Sequence, residues 1–230
     1  MAVPLILVPT VSMVQADEGD VNEAEAPPTS SNRFRNRMSN ESEGELGPGK
    51  ASVIGWKEPR VTQRGFMDLS FGGKPGGRLV FSLYGDQVPE TVKNFASLLT
   101  GDNEGGLTYK GTEIYRVLSG LNIQMGAIGS ANGRTGQAAG GKPFPQENFD
   151  IPHRAEGMLS MAKDLDGNSD SRFFINVKED AGWADGRYVA YGRVAEGMDV
   201  MKKIEAVKVT GGSNKPVESI VVENCGLLDD

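Results

Sequence analysis

The sequence predicts a mainly β protein folded as a small closed β-barrel, and three observations support this. Short apolar segments are separated by turns rich in glycine and aspartate, and the chain contains 31 glycines. The run Ser171–Asn176 lies between Gly157–Ala162 and Trp183–Tyr188, each bounded by such turns. Only two segments have helical spacing. This density of short strands is typical of a closed barrel with aromatic side chains free to line a pocket.

The N-terminal region differs in composition from the rest of the chain. Residues 1–14 are apolar, and Val14-Gln15-Ala16 before Asp17 has the pattern of a small-residue cleavage site. We therefore expect residues 1–16 to be a residual signal or lumenal targeting segment, too short to span a bilayer; the alternative is a mildly apolar terminus. Residues 17–64 are acidic and polar and are predicted to be a disordered linker. The folded domain is predicted to cover residues 65–230.

The first predicted elements are a hairpin and a helix. Alternation from Phe66 to Phe71 predicts a strand, Gly72–Gly77 a turn, and Arg78–Tyr84 a second strand. Pro89 suits a first helical turn, apolar residues recur at helical spacing, and Gly101 is a stop signal, so Pro89–Thr100 is predicted to be an amphipathic helix. A second helix is predicted over Met198–Ala206. The remaining predicted strands are Glu113–Val117, Asn122–Ile128, Gly157–Ala162, Phe173–Val177, Val189–Val194 and Glu218–Asn224.

Composition narrows the classes of function. The net charge of −7 gives no basic footprint for nucleic acid. A single cysteine, Cys225, and a single histidine, His153, exclude a cysteine cluster and a multi-histidine metal site. The segment Gly136–Lys142 has phosphate-loop spacing, but Pro143 stands where the metal-binding hydroxyl is needed. We expect no cofactor and no metal, and we interpret His153, which follows a proline in a loop, as a surface or rim histidine.

The order of motifs resembles the cyclophilins, the peptidyl-prolyl isomerases built on an eight-stranded antiparallel barrel capped by two helices. The resemblance runs nearly from Gly65 to Leu227. It predicts the same closed barrel here, and binding of proline-containing proteins or peptides. The motifs that carry it are Val88–Phe95, Tyr109–Thr112, Tyr115–Val117, Gln124–Gly126, Glu147–Phe149, Gly157–Ala162, Ser171–Ile175 and Trp183–Gly186.

The resemblance also implies roles for individual residues. Rotation about an X–Pro bond is opposed by amide resonance, with a barrier of about 20 kcal/mol, and needs no nucleophile, metal or cofactor. Arg116 matches the catalytic arginine, whose hydrogen bond strengthens as the amide twists. Phe174 matches the aromatic floor of the proline pocket and Gln124 the glutamine beside the arginine. Ala162 matches a small residue beneath the peptide, and Trp183 the tryptophan used to bind cyclosporin.

Several positions depart from the family pattern. Leu121 replaces the aromatic facing the proline, and a shallower, more polar seat is expected to cost substrate binding. The other departures are Asn122 for methionine, Ala184 for the pocket leucine, Lys163 for a backbone-binding asparagine, Arg172 for glutamine, Tyr188 for the rim histidine and Tyr115 for the histidine before the arginine. A weak or selective isomerase that assists folding or complex assembly is therefore expected. The alternative is a catalytically inactive peptide-binding subunit or assembly chaperone; a ligand-carrying barrel is rejected because it gives no reason to keep Arg116.

The leader, the acidic linker and the altered pocket are together most similar to divergent cyclophilins of the chloroplast thylakoid lumen. The resemblance implies that location, with the secretory pathway as the alternative. It also implies a photosynthetic membrane complex as a partner.

Overall fold

A computed structural model describes residues 57–229 of the chain. The described chain forms eight strands and two helices. Their order is β1 Gln63–Phe71, β2 Lys74–Leu83, α1 Pro89–Thr100, β3 Arg116–Leu118, β4 Asn122–Met125, β5 Met158–Lys163, β6 Ser169–Asn176, β7 Ala190–Glu196, α2 Met198–Glu205 and β8 Ile220–Leu228. The predictions for residues 1–16 and for 17–56 of the linker lie outside the described residues. Within residues 57–229, no helix is both long and apolar enough to cross a membrane.

The strands form one antiparallel sheet in the order β3-β4-β6-β5-β7-β2-β1-β8. The sheet curls into an open half-barrel, so the prediction of a closed barrel is wrong. The edge strands β3 and β8 share no ladder, and Val117 of β3 donates instead from its backbone N to Asn214 O, ahead of β8, at 2.9 Å. The chain just before β3 reaches β8 through a single bridge, Glu113 to Val221, flanked by backbone bonds such as that from Ile114 N to Ile220 O at 3.0 Å.

The hairpin and both helices were predicted from local signals, and these are confirmed with small shifts. The β1–β2 turn consists of Gly72 and Gly73 alone, both at positive φ, and pairing resumes at Lys74 rather than after Gly77. Helix α1 has the predicted bounds. Its free N-terminal amides are satisfied by the Glu147 carboxylate, which accepts from the backbone N of Thr91 at 3.0 Å.

The core is organised around one helical residue. Phe95 of α1 is fully buried, with its ring centroid 5.0–5.9 Å from four aromatic rings, those of Phe81, Tyr109, Phe173 and Tyr191. Tilted and edge-on pairs of this kind add to the apolar burial. These contacts fix helix α1 against β2, β6 and β7, and β6 also carries Phe174 of the candidate site.

The folded contacts begin before β1. Glu58 accepts a hydrogen bond from the Tyr84 hydroxyl at 2.9 Å and forms an ion pair with Arg193 at 2.9 Å. Thr62 N donates to Leu83 O at 2.9 Å. Residues 58–62 therefore pack against the strands, ahead of the Gly65 boundary drawn from the sequence.

Candidate functional site

Strand register places the three residues expected to be catalytic in one row across the sheet. Arg116 of β3 pairs with Gln124 of β4, and Gln124 pairs with Phe174 of β6. Directly opposed residues on neighbouring strands project from the same face, with strands about 4.8 Å apart. The row continues to Ser160 of β5, which pairs with Phe174.

Two adjoining pockets open above this row. The first, here called the aromatic pocket, has a volume of about 200 Å³ and the second, the arginine pocket, about 440 Å³. The two share Tyr115, Gln124 and Gly133, so together they form a single groove. The aromatic pocket is otherwise lined by Ala162, Lys163, Arg172, Phe174, Trp183 and Tyr188, and the arginine pocket by Arg116, Ala131, Asn132, Ser213 and Lys215.

Three aromatic rings define the wall and floor of the aromatic pocket. The Phe174 and Trp183 rings are stacked, with centroids 5.6 Å apart and planes at 26°. The Tyr188 ring meets Phe174 edge-on at 5.2 Å and Trp183 at 5.9 Å. Because both rings lean on it, Phe174 is only 4% exposed, whereas Trp183 is 39% exposed. The indole therefore presents more apolar surface to a ligand than the phenyl ring does.

Arg116 is the donor that the structure leaves available. Its side chain is half-buried and forms no ion pair or side-chain hydrogen bond with any part of residues 57–229. The neighbouring Gln124 amide is held in place, since its Nε2 donates to Asn122 Oδ1 at 3.1 Å. An arginine presents its donors as a rigid, permanently charged fork, which suits recognition of a developing negative charge.

Arg172, by contrast, is fully engaged inside the protein. Its Nη2 donates to Asp170 Oδ2 at 2.6 Å, and its Nη1 donates to the carbonyls of Gly133 and Arg134 at 3.0 and 2.8 Å. Burial is the largest single effect and acts to lower the pKa of Arg172, but the hydrogen bond to Asp170 and the charge of Asp170, together with Tyr115 and Asp164, raise that pKa overall. Arg172 therefore lines the pocket and holds residues 133–134 in place, and its donors are occupied by bonds within the protein.

Tyr115 shapes the same loop from the other side. A Cβ added to Gly133 would lie 2.2 Å from the Tyr115 ring, and Gly133 has φ +72°, so only glycine fits there. Burial raises the pKa of Tyr115 to about 12, so the phenol is neutral at physiological pH. The ring consequently acts through its shape and its hydroxyl.

Three of the expected binding residues do not line either pocket. Leu121 lies at the β3–β4 turn and is 39% exposed, while Asn122 and Ala184 are buried. Asn122 contacts the site through its Oδ1, which accepts from Gln124 Nε2 at 3.1 Å. The backbone N of Ala184 donates to Ala181 O at 2.9 Å, inside the turn that carries Trp183.

His153 was interpreted from the sequence as a surface or rim histidine, and this is wrong because its side chain is completely buried. Its Nδ1 lies 2.9 Å from Asp185 Oδ1 and its Nε2 lies 2.7 Å from Ser160 Oγ. A carboxylate can only accept, so Nδ1 donates to Asp185 and the serine hydroxyl donates to Nε2. Burial lowers the pKa of His153, against the opposing effect of Asp185.

This chain of hydrogen bonds supports the pocket from below. Ser160 belongs to the strand next to Phe174, and Asp185 belongs to the turn between Trp183 and Tyr188. The backbone N of Ala181 also donates to His153 O at 2.8 Å. His153 therefore ties the floor of the aromatic pocket to its wall. No local pattern predicts this arrangement, because Asp185 is 32 residues away along the chain and Ser160 lies in a neighbouring strand.

The groove can act on an amide without covalent chemistry. Within residues 57–229, no group of three or more His, Cys, Asp or Glu side chains is placed to hold a metal ion. A charged donor beside an apolar pocket can bind a twisted X–Pro amide more tightly than the planar forms, which lowers the barrier to rotation. We expect such a donor to contact the amide and the aromatic rings to contact the proline.

Comparison with protein families agrees with this geometry. Residues 66–227 match the family described as cyclophilin type peptidyl-prolyl cis-trans isomerase/CLD. The match covers well over half of the chain and contains every residue of the two pockets. The chain therefore belongs to the cyclophilin-type peptidyl-prolyl isomerases, and it is an isomerase whose domain binds proline-containing peptides.

Proposed function

We propose that the protein is a slow or selective prolyl isomerase that assists the folding or assembly of other proteins. The observation that carries this is the row of Arg116, Gln124 and Phe174, with the arginine donors unengaged by the described residues. The family match supports isomerisation. The geometry of the pocket supports the restriction to slow or selective turnover.

The restriction follows from how much ring surface a proline can reach. Phe174 is 4% exposed beneath Trp183 and Tyr188, and the aromatic pocket is about 200 Å³. Each 40 Å² of apolar surface that a proline ring cannot bury costs about 1 kcal/mol. A substrate must therefore obtain binding energy from the residues around its proline, which makes turnover dependent on sequence.

The test is a protease-coupled isomerase assay on the full chain with Arg116→Ala, Arg116→Lys and Arg60→Ala. If the arginine supplies about 3 kcal/mol to the twisted state, Arg116→Ala lowers kcat/KM about a hundredfold. Arg116→Lys recovers only part of this, because an ammonium lacks the planar fork. Arg60 is an exposed arginine paired with Asp86 and serves as the control. Equal rates for wild type and Arg116→Ala would refute the assignment of the arginine.

The second candidate, an inactive peptide-binding subunit or assembly chaperone, is not favoured by the family match. The observation in favour of this second function is that Arg172 and Lys163 occupy positions where the family resemblance expects glutamine and asparagine. A folded protein that binds prolyl peptides without accelerating their isomerisation would identify this second function.

We further propose delivery to the thylakoid lumen of a chloroplast, with the secretory pathway as the alternative, and a photosynthetic membrane complex among the clients. The support is the apolar segment 1–14 followed by the Val14-Gln15-Ala16 pattern. N-terminal sequencing of the mature protein, together with fractionation of the organelle, tests both parts. A mature N-terminus at Asp17 in the lumenal fraction is the expected result, and uncleaved protein outside any organelle would refute it.

A further inference from the structure

The groove is basic although the chain as a whole is acidic. None of the residues that line the aromatic and arginine pockets is an aspartate or glutamate, whereas four are basic: Arg116, Lys163, Arg172 and Lys215. The chain has a net charge of −7. Acidic side chains are thus excluded from the one surface where a peptide must bind for isomerisation.

Two of the four cations are neutralised within the protein. Arg172 pairs with Asp170 at 2.6 Å, and Lys215 pairs with Glu113 at 2.9 Å. The other two, Arg116 and Lys163, have no carboxylate within ion-pair distance among residues 57–229. Since Arg116 is assigned to the amide, Lys163 is the groove cation that remains for a side chain of the substrate.

Lys163 is positioned on the pocket wall. Its Nζ donates to Arg187 O at 3.2 Å and lies 4.9 Å from the centroid of the Tyr188 ring. Both contacts orient the ammonium and leave its charge uncompensated, because one partner is a carbonyl and the other an aromatic face. The side chain is exposed, so a peptide in the groove can reach it without a rearrangement.

We propose that Lys163 makes the enzyme prefer prolyl substrates with an acidic residue next to the proline. This rests on the proposed isomerase function and specifies its substrate class. A glutamate or aspartate side chain beside the proline forms an ion pair with the Lys163 ammonium, while a basic neighbour is repelled by Lys163 and Arg116 together. The preference is one of charge and therefore weakens with salt.

The experiment uses matched peptides that differ only as Glu or Gln, placed immediately before or immediately after the proline. The ratio of kcat/KM for Glu to Gln is measured for the wild-type full chain, Lys163→Met, Lys163→Glu and Lys208→Glu. Lys163→Met keeps the apolar stem and removes the charge. Lys208 is an exposed lysine that lines neither pocket and controls for the change in net charge.

We expect a ratio of about three at one of the two positions in wild type at low ionic strength, as a partly exposed ion pair gives. The ratio falls to about one in Lys163→Met, drops below one in Lys163→Glu and is kept in Lys208→Glu. In wild type it also declines as the salt concentration rises toward about 0.5 M. A wild-type ratio near one at both positions, or a preference that survives Lys163→Met, overturns the proposal.

Failure of the isomerase function has a different signature. If wild type turns over none of the peptides, the same Glu and Gln peptides are compared by titration calorimetry. A preference for Glu in binding that disappears in Lys163→Met supports the acidic specificity without catalysis, and equal affinities overturn it. The two conclusions are thus decided by separate measurements.

Discussion

Replacing Arg172 by methionine is expected to destabilise the protein strongly, although an arginine in a strand is usually a surface charge. The Arg172 and Asp170 side chains are 8% and 2% exposed. The variant leaves the Asp170 carboxylate buried with only the backbone N of residue 172 donating to it, at 2.7 Å. It also removes the donors to Gly133 O and Arg134 O.

The size of the effect follows from the cost of a buried, unpaired charge. Breaking a buried ion pair from one side costs about 3–5 kcal/mol, and the remaining backbone bond favours the lower end, about 3 kcal/mol. For a domain of this size the melting temperature should fall by about 6–12 °C. Urea unfolding followed by circular dichroism gives the free energy of unfolding, and calorimetry gives the melting temperature.

The double variant Asp170→Asn/Arg172→Gln is the matched control. It removes both charges and keeps polar groups that can hydrogen-bond, so its loss should be nearer 1 kcal/mol. If Arg172→Met unfolds within about 1 kcal/mol of wild type, the pair behaves like an exposed one and the reasoning is refuted. Equal losses in the single and double variants would also refute it.

Three further predictions concern the surroundings of the groove. Because burial lowers the pKa of His153 from its usual 6.5, the unfolded chain takes up a proton that the folded chain resists, so the free energy of unfolding falls as pH drops below about 6.5. Gly133→Ala should cost about 2 kcal/mol in urea unfolding, because a Cβ at φ +72° meets the Tyr115 ring. Trp183, 39% exposed, should shift its emission to the blue when a prolyl peptide covers it.

Each of these has its own control. His153→Gln should flatten the stability profile between about pH 7 and pH 5, and an unchanged slope would assign it to other groups. Gly140→Ala, where an added Cβ meets nothing within 4 Å, should leave stability within about 0.5 kcal/mol of wild type; a loss equal to that of Gly133→Ala would contradict the steric argument. The emission of Trp183 is isolated by Trp56→Phe, and a peptide with alanine in place of proline should leave it unchanged.

The elements that could be predicted from the sequence are those whose signals are local. Pro89 at the first turn of α1 and Gly101 after its end, at φ 76°, fix the observed bounds of that helix. The closure of the barrel could not be predicted in the same way. Closure requires β3 to pair with β8. Pairing between strands that are far apart along the chain is set by the whole fold, and the residues of β3 do not predict it.

The alternation of polar and apolar residues does not predict the bounds of strand β6. Its predicted start was Phe173, yet it begins at Ser169 and is buried throughout, including Asp170 and Arg172. These two residues are opposite charges at positions i and i+2, which lie on the same face of a strand. That spacing was the available signal for a buried pair. His153 had no such signal, because Ser160 and Asp185 meet it only in the folded state.

Two of the departures from the family pattern, Tyr115 and Arg172, meet at Gly133 in the groove. Arg172 bonds the carbonyl of Gly133, and the Tyr115 ring packs against the same glycine. Gly133 lines both pockets, so the two substitutions reshape the wall that the pockets share. Arg116 and Gln124 keep their register beneath that wall. Because these two side chains contact the wall and leave the donor row in register, we expect them to affect which peptides enter the groove, with Arg116 acting on the amide as proposed.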